Sequence, residues 1–361
     1  MLTQDDFVKM LSTGKKLAAS TIKNRVSYLY KQYRQIGGNA NDLSYLSSYS
    51  KVIRHINESS KSDEGRKTYI FHVISLIGTK AGKIVSDDAR RKYQAAAQRA
   101  REKSKKQSLD NVATDKQQIN YVSIDGLTRQ LETKIHELFA DYEMPYQATK
   151  ISEADFAKWS IESDRKDIKS FARELQRCVM LACYCYQPAL RSDWSTLNIT
   201  SAAINRLDVE HNWIQVLRGG RIRLIMNNFK NVKTFGRHII EVDNVHLKRY
   251  LKYWIDLLGR LLGTKPERLF IYQLSPLKEV KLISTTRDAF GKAVARNSEK
   301  LFDRPQTVNS FRHAWEKKFQ EDPAYQSMTQ AERQALHHKL LHGVFTGQLY
   351  NWQRRGYTPI E

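Results

Sequence analysis

Acidic residues are scarce in this chain of 361: 38 Asp and Glu stand against 60 Lys and Arg, a formal net charge of +22. Cysteine is scarcer, with Cys178, Cys183 and Cys185 crowded into one apolar segment, VMLACYCYQPAL. An odd count at that spacing excludes a disulfide framework and does not match a zinc ribbon, so buried, reduced thiols are expected. No apolar run approaches the length of a membrane span. The opening MLTQDDFVKM carries acids where a secretory signal would carry positive charge, so an intracellular, non-secreted protein is expected. Metal and nucleotide motifs are lacking too. GTKAGK at 78–83 is one residue short of a phosphate loop and has no Ser or Thr after Lys83. His338 and His342 have i, i+4 spacing, but no glutamate follows His338 as zinc-protease chemistry requires. Carboxylate pairs of a metal nuclease are absent at any readable spacing, and no metal or cofactor is expected.

What is present is a soluble globular composition with a strongly basic field. Hydrophobic residues make up 41% and charged residues 27%. A positive excess of this size attracts polyanions, and nucleic acid is the usual partner. The excess is gathered locally in ARRKYQAAAQRAREKSKKQ at 89–107. There Arg90, Arg91, Lys92, Arg99, Arg101, Lys103, Lys105 and Lys106 appear with Glu102 as the single acid, whereas a merely solvated helix face would mix signs. These are candidate DNA-phosphate contacts.

Periodicity divides the chain. STIKNRVSYLYKQYRQIGG begins at Ser20 as a candidate cap, repeats apolar residues at helical spacing and stops at Gly37-Gly38. Two further helices follow across DLSYLSSYSKVIRHI and GRKTYIFHVISLIGTKAG, then the basic helix, giving a small all-α bundle expected to grip DNA. KKQSLDNVATDKQQIN loses the periodicity, which sets a helical domain at 1–105, a linker at 106–120 and a second domain at 121–361. In that domain a helix runs from about Arg165 to Tyr186, and Pro188 ends it. β-Rich runs at 213–217, 221–227 and 238–242 predict a small antiparallel sheet, with FIYQL at 270–274 as one further short strand. The rest returns to helix, so the fold class is mainly α with a small antiparallel β-sheet.

Several separated places in the second domain carry candidate chemistry. Each has an ordinary structural reading by itself. Arg191 in PALRSDWSTLNI caps a turn or pairs with Asp193; Lys230 and Lys233 are solvated turn lysines; Arg312 and His313 in TVNSFRHAWEKKF and His342 and Tyr350 in LLHGVFTGQLYNW pack on helices. Together their order resembles the catalytic region of the tyrosine recombinases, the phage-integrase family, and its viral or mobile-element branch. The matching residues are Ala189-Leu190-Arg191, Lys230 or Lys233, Phe311-Arg312-His313, and Leu340-Leu341-His342 followed after seven residues by Tyr350.

The resemblance covers about residues 121–361 and implies a two-domain DNA clamp, a helical core-binding domain joined to a tyrosine-recombinase catalytic domain. It implies cleavage and rejoining of DNA through a covalent 3′-phosphotyrosine on Tyr350, without metal, by a homotetramer on paired sites, integrating or excising viral or mobile DNA in a host nucleus or cytoplasm. The chemistry suits these residue types. A tyrosine forms a covalent phosphoryl intermediate. Arg191 and Arg312 offer permanently charged forks to the phosphate. Lys230 or Lys233 serves as acid, and His342 as a phosphate donor. The family usually has histidine three residues before the second arginine; here Asn309 stands, which donates a hydrogen bond but exchanges no proton near neutral pH, so the base role moves, to His313, or the step is slow. Two other readings stay open: a type IB DNA topoisomerase, and a catalytically impaired DNA-binding relative.

Overall fold

Thr3 opens the first helix by a reciprocal cap: its hydroxyl accepts the Asp6 N–H, and the Asp6 carboxylate accepts the Thr3 N–H at 2.8 Å. The computed structural model describes residues 1–13, 17–60, 62–110, 121–160, 167–270, 286–344 and 347, side chains 20, 105 and 107–110 excepted. The chain falls into two compact units, Met1–Asp110 and Asn111–Glu361.

The first unit is helical: α1 (Gln4–Ser12), α2 (Ala19–Ile36), α3 (Tyr49–Ser59), α4 (Asp63–Ile77) and α5 (Asp87–Asp110). Apolar residues at helical spacing meet in one core, among them Phe7 and Leu11, Val26, Leu29 and Tyr33, Val52 and Ile56, Val73 and Leu76, and Ala89, Tyr93 and Ala97. Helix α2 starts from extended Ala18, which supplies no side-chain cap, rather than from Ser20. Helix α5 continues to Asp110, past the point at 105 where periodicity weakens: once Ala89, Tyr93 and Ala97 seat the helix, good helix formers such as Lys and Gln prolong it. Residues 111–120, most of the expected linker, lie outside the described residues.

GTKAGK proves to be a turn that receives α5. Gly82 lies against the Ile77 carbonyl so closely that a Cβ would overlap it. Arg90 caps the turn by donating to the carbonyls of Val85 at 2.8 Å, Ile77 at 3.5 Å, and Gly82. It binds carbonyls, the opposite polarity to a phosphate loop.

The second unit contains α6 (Ile124–Asp141), α7 (Glu153–Ser160), α8 (Ile168–Cys185), β1 (Leu197–Thr200), β2 (Asn212–Val216), β3 (Ile222–Met226), the single turn α9 (Val232–Phe235), β4 (His238–Glu241), α10 (Val245–Leu262), α11 (Arg287–Phe302), α12 (Val308–Glu321), α13 (Pro323–Ser327) and α14 (Gln330–His338). Helix α8 is central, and its three free thiols are buried; burial pushes Cys178 up to about 12. Among the described residues no helix is long and apolar enough to cross a membrane.

The sheet has order β1-β2-β3-β4. Pairs β2–β3 and β3–β4 are antiparallel, and Gly219 and Gly220, at φ 78° and 81°, make the turn between β2 and β3 that L side chains rarely adopt. The expectation of an antiparallel sheet needs correction, because β1 joins β2 in parallel with Leu197 opposite Asn212. Strand β1 is held from its other side as well: Ile199 N donates to Glu267 O at 2.8 Å and Leu269 N to Leu197 O at 3.3 Å. The strand expected at FIYQL lies outside the described residues from position 271 on.

Candidate active site

Helix α12 carries the centre of the site. Thr307 caps it, with Ser310 closing the reciprocal bond. Its inner face buries Phe311, Ala314, Trp315 and Phe319, and between them two charged residues, Arg312 and Glu316, both 0% exposed. The Trp315 indole donates to the Tyr184 carbonyl at 2.7 Å, seating α12 on the end of α8. The Tyr184 hydroxyl in turn donates to the Arg191 carbonyl at 3.0 Å, which fixes the segment following α8.

Arg312 binds that same segment. Its Nη1 donates to the Ala189 carbonyl at 2.7 Å and its Nη2 to His342 Nδ1 at 2.9 Å. The other imidazole nitrogen, Nε2, faces Glu316 Oε1. Glu316 Oε1 also receives His337 Nδ1 at 2.9 Å, and His337 Nε2 meets the Tyr325 hydroxyl at 2.8 Å. Burial by itself would raise the Glu316 carboxyl, but hydrogen bonds from His337 and His342 more than offset it and hold the group below its ordinary value. Burial pushes the His342 imidazole down, and the Arg312 charge adds to that against the opposing pull of Glu316.

Leu341, just before His342, has φ 55°, a left-handed conformation that is strained for a branched side chain. Helix α14 ends at His338 and does not run into the helix expected over 340–352; Gly347 N donates to Gly343 O at 3.1 Å, and residues 345, 346 and 348–352 of that helix lie outside the described residues. The Leu341 carbonyl accepts Asn231 Nδ2 at 3.3 Å, which ties the β3–β4 connection to this segment. Lys230 and Lys233 flank Asn231 and are exposed. That connection is not a bare hairpin, since it contains α9.

Arg191 is half-buried at the head of a short 3-10 turn, Ser192–Thr196. The carboxylate suggested as its partner, Asp193, pairs instead with Arg287 at 3.1 Å. Burial raises the Asp193 carboxyl while Arg287, Arg191 and Arg312 oppose the rise. Asn309 is exposed on the first turn of α12, and His313 is partly buried. Tyr350 lies outside the described residues.

Thus the structure brings Arg312, His342 and the Ala189-Leu190-Arg191 segment together, with the Lys230 connection tied beside His342. Sequence reasoning missed Glu316 and His337. The available signal was an acid one helical turn after Arg312 on an apolar face. Glu316, His337 and His342 each offer a ligand atom within 4.8 Å of the others, a spacing one metal ion could bridge. The Arg312 cation donating to His342 Nδ1 argues for a hydrogen-bonded network there, because metallation at Nε2 would place a proton on Nδ1, facing another donor. His338 takes no part: it bonds Gln334 at 2.6 Å and packs on Phe235.

On the basic helix, Arg90 is turned inward on its carbonyls, Lys92 pairs with Asp88 at 2.7 Å and Lys103 with Asp63 at 2.7 Å. Arg101 covers the Phe71 ring at 4.6 Å, and Arg91, Arg99 and Lys106 are exposed. The Lys105 side chain lies outside the described residues.

No protein-family model matches the chain, and no curated protein does. Among solved structures, a crystal structure of XerA recombinase matches over 98% of this chain and 95% of that chain, with 12% sequence identity and a TM-score of 0.36.

Proposed function

We propose that the chain is a DNA strand transferase of the tyrosine-recombinase kind. The observation that carries this reading is Arg312 donating at once to the Ala189 carbonyl and to His342, with Asn231 bonded to the residue before His342. Ala189, 123 residues before Arg312, and His342, 30 residues after it, converge on one guanidinium.

In this reading His313 takes the proton of the Tyr350 hydroxyl as its oxygen attacks a backbone phosphorus, the bond to the 5′-oxygen breaks, and Lys230 gives that oxygen a proton. Lys233 is the alternative donor. Arg191 and Arg312 stabilise charge on the non-bridging oxygens, an effect whose loss costs about two to three orders of magnitude. Asn309 supplies a neutral donor, while His342, expected as a second one, has both ring nitrogens engaged by Arg312 and Glu316 and instead orients the Arg312 guanidinium. A 5′-hydroxyl of another strand then displaces the tyrosine, conserving the phosphodiester energy. The substrate is double-stranded DNA of a viral or mobile genome, held at paired sites by four copies of the chain. The exposed Arg91, Arg99 and Lys106 contact its backbone.

The full burial of Arg312 and His342 favours a second reading, a DNA-binding relative without strand transfer. One experiment separates the two: nicked duplex DNA from the flanks of the gene, incubated with the chain without divalent metal and run on a denaturing gel. A covalent adduct lost in Tyr350→Phe and kept in Tyr357→Phe supports the transferase. Salt-sensitive binding with no adduct supports the relative.

A further inference from the structure

The proton positions around Glu316 follow from the charges of the groups. A guanidinium only donates, so His342 Nδ1, which receives Arg312 Nη2 at 2.9 Å, carries no hydrogen. The ring hydrogen then sits on Nε2 and is given to Glu316 Oε1. The same oxygen takes the Nδ1 hydrogen of His337, leaving His337 Nε2 to accept the Tyr325 hydroxyl at 2.8 Å. Every bond in this chain is satisfied with Glu316 ionised and both rings neutral. The buried positive charge of Arg312 is thereby balanced by Glu316 through a neutral imidazole.

A second element rests on the same carboxylate. A Cβ on Gly347 would overlap His337 Nδ1 and lie 2.6 Å from Glu316 Oε2, so this backbone is packed directly on the pair. Gln320 Nε2 reinforces it, donating to the Gly347 carbonyl at 3.3 Å while lying 3.5 Å from Glu316 Oε2. Gly347 stands three positions before Tyr350 in the sequence.

We propose that Glu316 is a positioning residue of the strand-transfer site: it holds Arg312 and His342 in place on one side, and on the other it packs against the backbone of Gly347. This rests on the reading of the chain as a strand transferase. Glu316 touches no substrate in the proposal. It acts by fixing the His342 tautomer and by neutralising Arg312, and His337 with Tyr325 fixes Glu316 in turn.

The test uses the full chain with 15N-labelled histidine, together with adduct formation on nicked duplex DNA. In the wild-type spectrum His342 is expected as the neutral Nε2–H tautomer at pH 7. Glu316→Gln keeps an acceptor oxygen and removes the charge; adduct formation is expected to fall by roughly 10²-fold, with the His342 nitrogens shifting toward a tautomer mixture. Glu316→Asp restores the charge on a shorter stem and should recover part of the rate. An Nδ1–H tautomer for His342 in the wild-type chain overturns the proposal without recourse to any variant, which covers the case of a Glu316→Gln protein that does not fold. An undiminished adduct rate in folded Glu316→Gln overturns it too, while leaving the strand-transferase reading intact. No adduct from the wild-type chain overturns both, and the spectrum then reports whether the proton arrangement itself stands.

Discussion

Arg312 and Glu316 stand one turn apart on α12 and are joined through the ring of His342, which accepts from the first at 2.9 Å and donates to the second. Opposite charges at i, i+4 on a surface would add a few tenths of a kcal/mol. Here both are fully buried among Phe311, Ala314, Trp315 and Phe319, so each is tolerable only while the other remains.

Removing either charge therefore leaves the other uncompensated. Arg312→Met and Glu316→Leu should each lower the stability of the chain by about 3–5 kcal/mol. Their effects should not add. With Glu316 already replaced, losing Arg312 should cost less by about 1–3 kcal/mol than in the wild-type background. Urea unfolding of the four proteins measures this coupling, and simple additivity would mean that the charges do not balance one another.

The close approach at Gly347 makes a sharper prediction. Gly347→Ala places a methyl into His337 and Glu316, and overpacking of this kind costs about 1–3 kcal/mol. Gly343→Ala is the control, since its nearest neighbour would be Gln334 Nε2 at 3.9 Å. Melting curves should separate the two variants. Equal loss in both would show that the turn, rather than the packing on Glu316, limits substitution.

The helices of the first unit were legible because Val26, Leu29 and Tyr33, or Val52 and Ile56, repeat at the spacing of a helix face and need only each other's company. Strand β1 was not. LNIT is four residues long, and its pairing depends on Asn212 on one side and Glu267 and Leu269 on the other. Arg312 and His342 were found through the order of short motifs, which a single sequence preserves. Glu316 was hidden because it precedes Lys317 and Lys318 and reads as a solvated helix charge. Its partners are His337, His342 and Gly347, which no local pattern connects to α12. Of the adjacent pair His337 and His338, the sequence offers no means to choose the one that turns inward. Arg90 misled for a related reason: its charge fits a phosphate face, yet the carbonyls of Ile77, Gly82 and Val85 were nearer.

His72 gives a pH dependence in the first unit. Its Nδ1 is buried without a hydrogen-bond partner among the described residues, with the Tyr28 and Tyr69 rings beside it. Burial, helped by the Arg25 charge, pushes the imidazole down to about 4. The folded pKa thus lies below the unfolded value of about 6.5, so the unfolded chain binds the extra proton first. Stability from this group is complete above about pH 6.5 and is lost as pH falls toward 4. Because the ring is partly exposed, the loss is discounted to about 1–2 kcal/mol. Unfolding of the full chain across that window, followed by a first-unit probe, should flatten in His72→Gln. An NMR titration of His72 with a midpoint near 6.5 would remove the basis of the prediction.

The basic helix separates two kinds of arginine that composition cannot distinguish. Arg91, Arg99 and Lys106 are spaced about two turns apart on α5 and share an exposed face, whereas neighbouring Arg90 holds the turn before the helix. Under the DNA-binding reading, Arg91→Ala or Arg99→Ala should weaken binding uniformly across sequences and reduce the salt slope by about 1 each, with the melting temperature unchanged. Arg90→Ala should do the reverse, lowering the melting temperature as the Gly82 and Val85 carbonyls lose their donor, with little change in the salt slope. Binding isotherms at several salt concentrations, run beside thermal melts, decide the matter. A salt slope that drops for Arg90→Ala and holds for Arg91→Ala and Arg99→Ala would place the DNA on another face of the unit.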